Sequence, residues 1–144
     1  MINNLLIGFF NLSVTVIVHS MAMLIATHFF RKWMQFTSVA PMAMEVLRVT
    51  FLVVLLTTAT LLEALWWAAS YFYLGAIQSL EAAIYFSIVT YTTLGYGDIT
   101  LNEQWRMLSA FQAANGVIIA GWSTALLFAL VQKIYVVHHP DDQL

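Results

Sequence analysis

Three long apolar runs dominate the sequence and limit what it can fold into. They cover residues 5–30, 49–74 and 107–132, and the only charged side chain within them is Glu63. Each run exceeds the ~20 residues that a helix needs to cross a hydrocarbon core. Hydrophobic residues make up 62% of the chain and charged residues 8%, so a water-soluble domain of this length could not bury its apolar surface. The sequence therefore predicts an all-α membrane protein with three transmembrane helices.

A fourth apolar stretch, residues 82–94, is too short to span a membrane and predicts a re-entrant segment. Ser79 is placed to cap a short helix over residues 79–92, and Glu81 would lie in its first turn, where an acidic side chain is favourable. Irregular backbone at membrane depth is tolerated where it lines a water-filled cavity. We therefore expect the residues after this helix to face such a cavity.

Glycines alternate with other residues directly after the predicted short helix. Tandem threonines end in the run Thr93-Leu94-Gly95-Tyr96-Gly97, which Asp98 follows. Glycine at alternate positions permits the backbone angles that aim successive carbonyls at one axis. Four such carbonyls and the Thr93 hydroxyl can replace the hydration shell of a potassium ion. Taken alone, a Gly-Tyr-Gly triplet would also fit an ordinary loop between two helices.

The sequence TTLGYGD, flanked by apolar segments, resembles the signature of the tetrameric potassium-channel superfamily over about residues 49–133. The resemblance implies a bacterial-type pore domain over residues 49–134. That domain would comprise an outer helix (49–74), a pore helix (79–92), a selectivity filter (93–97) and an inner helix (107–134). Four copies would surround one pore, with potassium as the permeant ligand at Thr93, Leu94, Gly95 and Tyr96 and with no other cofactor. Residues 1–32 would add an N-terminal helix, 33–48 an interfacial linker and 135–144 a short tail. Within that linker, Ser38 followed by Pro41 is a plausible helix start, so the second helix could begin near Pro41.

The resemblance also assigns residues that support the filter. Tyr85 and Phe86 occupy positions where relatives often carry two tryptophans, and the Tyr85 hydroxyl could reach Asp98. Val89 stands where several bacterial relatives carry a glutamate, and Thr92 precedes the filter. Ordinary packing of the two aromatics in the core is an equally open interpretation.

Two glycines of the third apolar run align with glycines of the family's inner helix. By that alignment Gly116 is a candidate gating hinge and Gly121 the second inner-helix glycine, although glycine also permits close helix packing in membranes. Val117, Ala120 and Thr124 share one helical face and are predicted to line the cavity.

Glu63 lies deep in the second run, where an ionisable side chain is costly and usually partnered. In the first run Asn11, Thr15 and His19 recur every four residues and form one polar stripe, which we expect to face protein. His19 lies at a depth similar to Glu63, so we predict a polar contact between them. A neutral Glu63 with a packing role alone is the alternative.

Basic residues predict the orientation in the membrane. Four of the five would fall at one side of a three-span arrangement, which makes that side cytoplasmic and places the N-terminus outside and the C-terminus inside. We therefore expect a multi-pass protein of the cell membrane whose partners are lipid and further copies of itself.

Other functional classes find little support in the sequence. A net charge of −2 without a basic run argues against nucleic acid as a partner, and the absence of cysteine excludes thiolate metal sites. No enzymatic constellation and no soluble regulatory domain after Lys133 are recognisable. The alternatives to a potassium-selective channel are a membrane subunit of a potassium uptake transporter and a poorly selective cation channel.

Overall fold

The computed structural model describes residues 2–36 and 40–138, which form four α-helices. These are α1 (Ile2–Phe36), α2 (Met42–Tyr73), α3 (Leu80–Tyr91) and α4 (Arg106–His138). By length and composition, α1, α2 and α4 can each cross a membrane, whereas α3 is shorter. The all-α fold with three long apolar helices that the sequence predicts is confirmed. Residues 37–39 of the predicted linker and 139–144 of the predicted tail lie outside the described part of the chain.

The three long helices run alternately in opposite directions. At one end, which we call the Arg48 end, the Arg48 guanidinium donates to the Trp33 carbonyl of α1 (3.3 Å). There His138, the last residue of α4, lies 3.5 Å from Glu45 of α2. At the opposite end, which we call the loop end, Asn4 of α1 donates to a backbone carbonyl just before α4. The Arg48 end therefore gathers the end of α1, the start of α2 and the end of α4.

A tight cap turns the chain from α2 into α3 at the loop end. Gly75 adopts a positive φ of 67°, and its N–H donates to the Phe72 carbonyl (3.0 Å) while the Ala76 N–H donates to the Tyr71 carbonyl (2.9 Å). This hydrogen-bond pair is the Schellman motif, which satisfies the last carbonyls of a helix. Ser79 then caps α3 through its side chain, as its position in the sequence predicts. The short turn sends α3 back alongside α2.

Helix α3 descends from the loop end into the space between α2 and α4. Its last residue, Tyr91, donates to Glu63 of α2 (2.7 Å), and its backbone packs against Gly116 of α4. Both contacts lie about ten residues, or ~15 Å of helix rise, from the loop end of their helices. The chain then returns through residues 92–105 to the loop end, where α4 starts. The glycine-rich run therefore lies on this returning segment.

The end of α1 differs from the prediction. Arg31 and Lys32 were expected to end the helix, but α1 continues to Phe36. The reason is aromatic packing beyond the two cations, because Trp33 packs edge-on against Phe51 of α2 with ring centroids 5.1 Å apart. The boundary between the N-terminal helix and the linker, expected after residue 32, thus falls inside α1.

The start of α2 agrees with the helix start predicted near Pro41 and differs from the outer-helix boundary predicted at residue 49. The helix begins at Met42, because the two charges before Val49 do not end it. Arg48 and Glu45 are both nearly buried and form an ion pair of 2.9 Å within the helix. A paired charge is far less costly in an apolar setting than the free charge that the sequence suggests. At the other boundaries the differences are smaller: α3 covers 80–91 instead of 79–92, and α4 covers 106–138 instead of 107–134.

The ion pair at the Arg48 end leads to a stability prediction. Arg48→Ala should lower the free energy of unfolding by about 3 kcal/mol, because Glu45 would remain buried without its main partner. Arg31→Ala is the matched control, since Arg31 is a basic residue near the same end with an exposed side chain. Denaturant titration in detergent micelles measures both. Equal stability of the two variants would contradict the structural importance of the pair.

Candidate functional site

The backbone of residues 93–97 alternates between two conformations. Thr93, Gly95 and Gly97 have positive φ values of 60°, 56° and 79°, whereas Leu94 and Tyr96 between them do not. Alternation of this kind turns successive N–H groups toward one side of the chain, which leaves the carbonyls on the other. Glycine accepts a positive φ without strain, which explains two of the three positions. The segment is therefore built to present a row of aligned backbone dipoles.

The N–H side of this row faces α3. The Val89 carbonyl accepts hydrogen bonds from the N–H groups of Leu94 (3.0 Å) and Gly95 (3.3 Å), and the Thr93 N–H donates to the Thr90 carbonyl (3.0 Å). Within residues 2–36 and 40–138, no donor reaches the carbonyl oxygens of residues 93–97. These oxygens are thus available to a cation, which is the chemistry of carbonyl-lined ion sites.

The side chains around the row differ in what they contact. Thr92 caps α3 and donates its hydroxyl to the Ile88 carbonyl (2.8 Å), so it belongs to the helix end. Leu94 and Tyr96 are 55% and 66% exposed within the subunit. Exposure of two large apolar side chains beside the carbonyl row leaves a surface that a neighbouring molecule could cover.

Tyr85 and Phe86, the two predicted supporting aromatics, point to different places. The Tyr85 hydroxyl donates to Asp98 at 2.7 Å, directly after the glycine-rich run, and this hydrogen bond raises the pKa of Tyr85. The tyrosine therefore stays protonated and remains a donor at neutral pH. Phe86 is buried and packs edge-on against Tyr71 of α2, with ring centroids 5.2 Å apart. Tyr85 thus holds the end of the segment, and Phe86 belongs to the core.

The polar stripe of α1 is buried in the protein along its whole length, as expected. Asn11 accepts a hydrogen bond from Ser70 of α2 (2.7 Å), and Thr15 accepts one from Asn115 of α4. His19 and Glu63 lie side by side, with Nδ1 of the imidazole 3.1 Å from Oε1 of the carboxyl group. Each member of the stripe therefore bonds to another helix.

The comparisons with known proteins concern the region that holds this site. Residues 59–133, just over half of the chain, match the model of a family described as ion channel. The chain belongs to this ion-channel family. Neither the curated proteins nor the solved structures contain a significant match. The matched region of the channel includes Glu63, α3, the carbonyl row and most of α4, but not α1.

The helical face that was predicted to line the cavity lies on α4. Val117, Ala120 and Thr124 are exposed on one side of the helix, and the Thr124 hydroxyl is tied to the Ala120 carbonyl (2.8 Å). Their exposure leaves this face free within the subunit, and cavity lining stays a prediction. Gln112 and Asn115 are buried and hydrogen-bonded to other helices, so they do not belong to the face.

The two glycines of α4 lie in contrasting surroundings. A Cβ built on Gly116 would overlap the backbone carbonyl of Tyr91, whereas a Cβ on Gly121 would meet nothing within 4 Å. Gly116 is therefore required for the close approach of α4 to the end of α3, and α4 is a continuous helix through it. Bending at Gly116 during gating stays a prediction.

The sequence did not predict Tyr91 as a partner of Glu63. Its hydroxyl bonds to Oε2 of Glu63, and Ser123 of α4 lies 3.0 Å from Nε2 of His19. A usable signal was present, because a buried carboxyl group has several acceptor sites and needs more than one partner. Tyr91 is a hydroxyl-bearing aromatic at the end of the short apolar stretch, at matching depth.

Gln112, Ser87 and Tyr71 form a second buried polar cluster, which the sequence did not predict. Gln112 of α4 donates to the Ser87 hydroxyl (2.6 Å) and accepts from the Tyr71 hydroxyl (2.8 Å). Ser87 in turn donates to the Ala64 carbonyl of α2 (2.5 Å). The cluster fixes the middle of α3 to both neighbouring helices.

The glycine contacts of α4 give a second prediction. Gly116→Ala should destabilise the channel by about 1–3 kcal/mol, because the added methyl group must displace the backbone at the end of α3. Gly121→Ala is the matched control, which should be neutral or slightly stabilising within the subunit because alanine favours the helix. Thermal unfolding in detergent compares them. A Gly116→Ala protein as stable as Gly121→Ala would contradict the close contact.

Proposed function

We propose that the channel is potassium-selective and conducts potassium passively through a central pore formed by four copies of the chain. The observation that carries the proposal is the carbonyl row at residues 93–97, with alternating φ and with N–H groups turned toward α3. A row of this kind replaces water around a cation that is large and weakly hydrated. The passing ion is the substrate, and the protein supplies backbone oxygens and no chemical step.

A single chain cannot form a complete ring of carbonyls, which supports an assembly of several copies, and the resemblance to the tetrameric potassium-channel superfamily gives their number as four. One chain contributes a single carbonyl at each level, so it covers only part of an ion's surroundings. Rotational symmetry closes the ring with identical contributions. Large side chains are exposed within the row, at Leu94 and Tyr96, and on α4, at Val117. Their exposure supports an assembly in which further copies of the chain cover part of this surface. We therefore propose a homotetramer in which Thr93 to Gly97 line the axis.

Liposome flux measurements test the proposal. Purified protein is reconstituted in vesicles with a potassium gradient and, separately, with a sodium gradient, and barium serves as the blocker. Potassium flux without matching sodium flux is expected. Equal fluxes would indicate a poorly selective cation channel, and absence of flux would favour a membrane subunit of a transporter that needs other chains.

The filter assignment makes a specific prediction for Gly97. Gly97→Ala should abolish selectivity or conduction. A residue with a Cβ destabilises the left-handed conformation by about 1–2 kcal/mol, and each copy of the chain would carry this destabilisation. Gly75→Ala is the matched control, since Gly75 has a similar φ of 67° and equally open surroundings but lies outside the row. Selective potassium flux that persists in Gly97→Ala would refute the role of the carbonyl row.

The proposed orientation places the loop end outside the cell and the Arg48 end in the cytoplasm. It rests on the basic residues gathered at the Arg48 end. Since the chain has no cysteine, single cysteines can report the orientation. Asn3→Cys should react with an impermeant thiol reagent added outside intact cells, and Met42→Cys, at an 80% exposed position, should not. The reverse labelling pattern would overturn the orientation.

A further inference from the structure

One side chain from each of the four helices joins a continuous hydrogen-bonded chain. Ser123 of α4 lies 3.0 Å from Nε2 of His19 of α1, whose Nδ1 lies 3.1 Å from Glu63 of α2. The other oxygen of Glu63 accepts a hydrogen bond of 2.7 Å from the hydroxyl of Tyr91, the last residue of α3. His19, Glu63 and Tyr91 are each at most 2% exposed. The hydrogen-bonded chain therefore runs from α4 through α1 and α2 to Tyr91, two residues before the first residue of the carbonyl row.

Tyr91 is held from two sides. Its side chain is bonded to Glu63, and its backbone carbonyl rests against Gly116, where no methyl group would fit. Only Thr92 separates Tyr91 from Thr93, the first residue of the carbonyl row. Tyr91 is therefore only one residue away from the innermost carbonyl oxygens, so a change in its position would act on them over a short stretch of backbone.

The polar stripe of α1 reaches each of the other helices. Asn11 bonds to Ser70 of α2, Thr15 bonds to Asn115 of α4, and Thr15 also contacts the Tyr91 hydroxyl of α3. The bond between Glu63 and Tyr91 differs from these because it joins α3 directly to α2, and it fixes the depth and tilt of the end of α3.

We propose that Glu63 is a positioning residue for ion selection. Through Tyr91, and supported by His19 of α1, it sets the radius of the innermost carbonyl ring and so the discrimination between cations of similar size. The inference deepens the proposed potassium-channel function and rests on it. A buried carboxyl group suits this task because its two oxygens hold α1 and α3 at a fixed separation.

The test compares rubidium with potassium, two monovalent cations of slightly different radius. The ratio of their fluxes in liposomes is a property of each pore and does not depend on how many channels fold. Tyr91→Phe removes only the hydroxyl group, and the rubidium-to-potassium ratio should change by roughly threefold or more, the equivalent of one lost hydrogen bond. Ser70→Ala is the matched control, because it removes a hydrogen bond between α1 and α2 that does not reach α3. Its ratio should equal that of the unmodified channel.

A double mutant separates positioning from general packing. His19→Leu removes the hydrogen bond to Glu63 and should change the flux ratio alone, yet it should add nothing in the Tyr91→Phe background, because both act through Glu63. Additive changes, or an unchanged ratio in Tyr91→Phe, would overturn the inference. If Tyr91→Phe fails to conduct, His19→Leu alone decides, and an unchanged ratio there overturns the inference. Loss of potassium selectivity in the unmodified protein would instead overturn the proposed function itself.

Discussion

A buried carboxyl group at Glu63 is the constraint on which the arrangement of the helices depends. In an apolar interior, such a group is tolerated only when its oxygens are hydrogen-bonded. Its partners come from α1 and α3, and His19 extends the link to α4. Apolar contacts alone would not choose this arrangement, since lipid tails are as apolar as leucine and helix association in membranes relies on close packing and hydrogen bonds. The carboxyl group therefore fixes the rotation and depth of its neighbours.

The same logic gives α3 two distinct faces. Ser87 and Tyr91 are one turn apart, and both bond to the surrounding helices through buried polar contacts. Tyr85 lies on the opposite side of the helix and bonds to Asp98 at the far end of the carbonyl row. One face thus anchors the helix to the scaffold, and the other holds the segment that follows it. Both faces of α3 therefore determine where the carbonyl row lies.

Local sequence pattern predicted the helices and the buried face of α1. It did not predict contacts that depend on how the helices are oriented against one another. Length and apolar composition sufficed for the three long helices, and four-residue spacing sufficed for the buried face of α1. The outer-helix boundary at residue 49 was placed too late because a charge seemed to end an apolar run, whereas Arg48 and Glu45 neutralise each other within the helix. The proline at position 41 predicted the observed start. Tyr91 was missed because its partner depends on the angle between α2 and α3. Local sequence pattern does not give that angle, although the matching depths of Tyr91 and Glu63 were a usable signal.

Helix α1 and Glu63 each supply a hydrogen-bond partner that the other needs. Glu63 lies within the region that matches the ion-channel family, whereas its partner His19 lies outside that region. Without α1, one oxygen of Glu63 would lose a partner and face a lipid-filled space, where an ionisable group is costly. Without Glu63, the imidazole of His19 would be buried beside apolar side chains with only Ser123 left to bond it. Helix α1 and the deep carboxyl group therefore form one physical unit, because each buries a polar group that the other bonds.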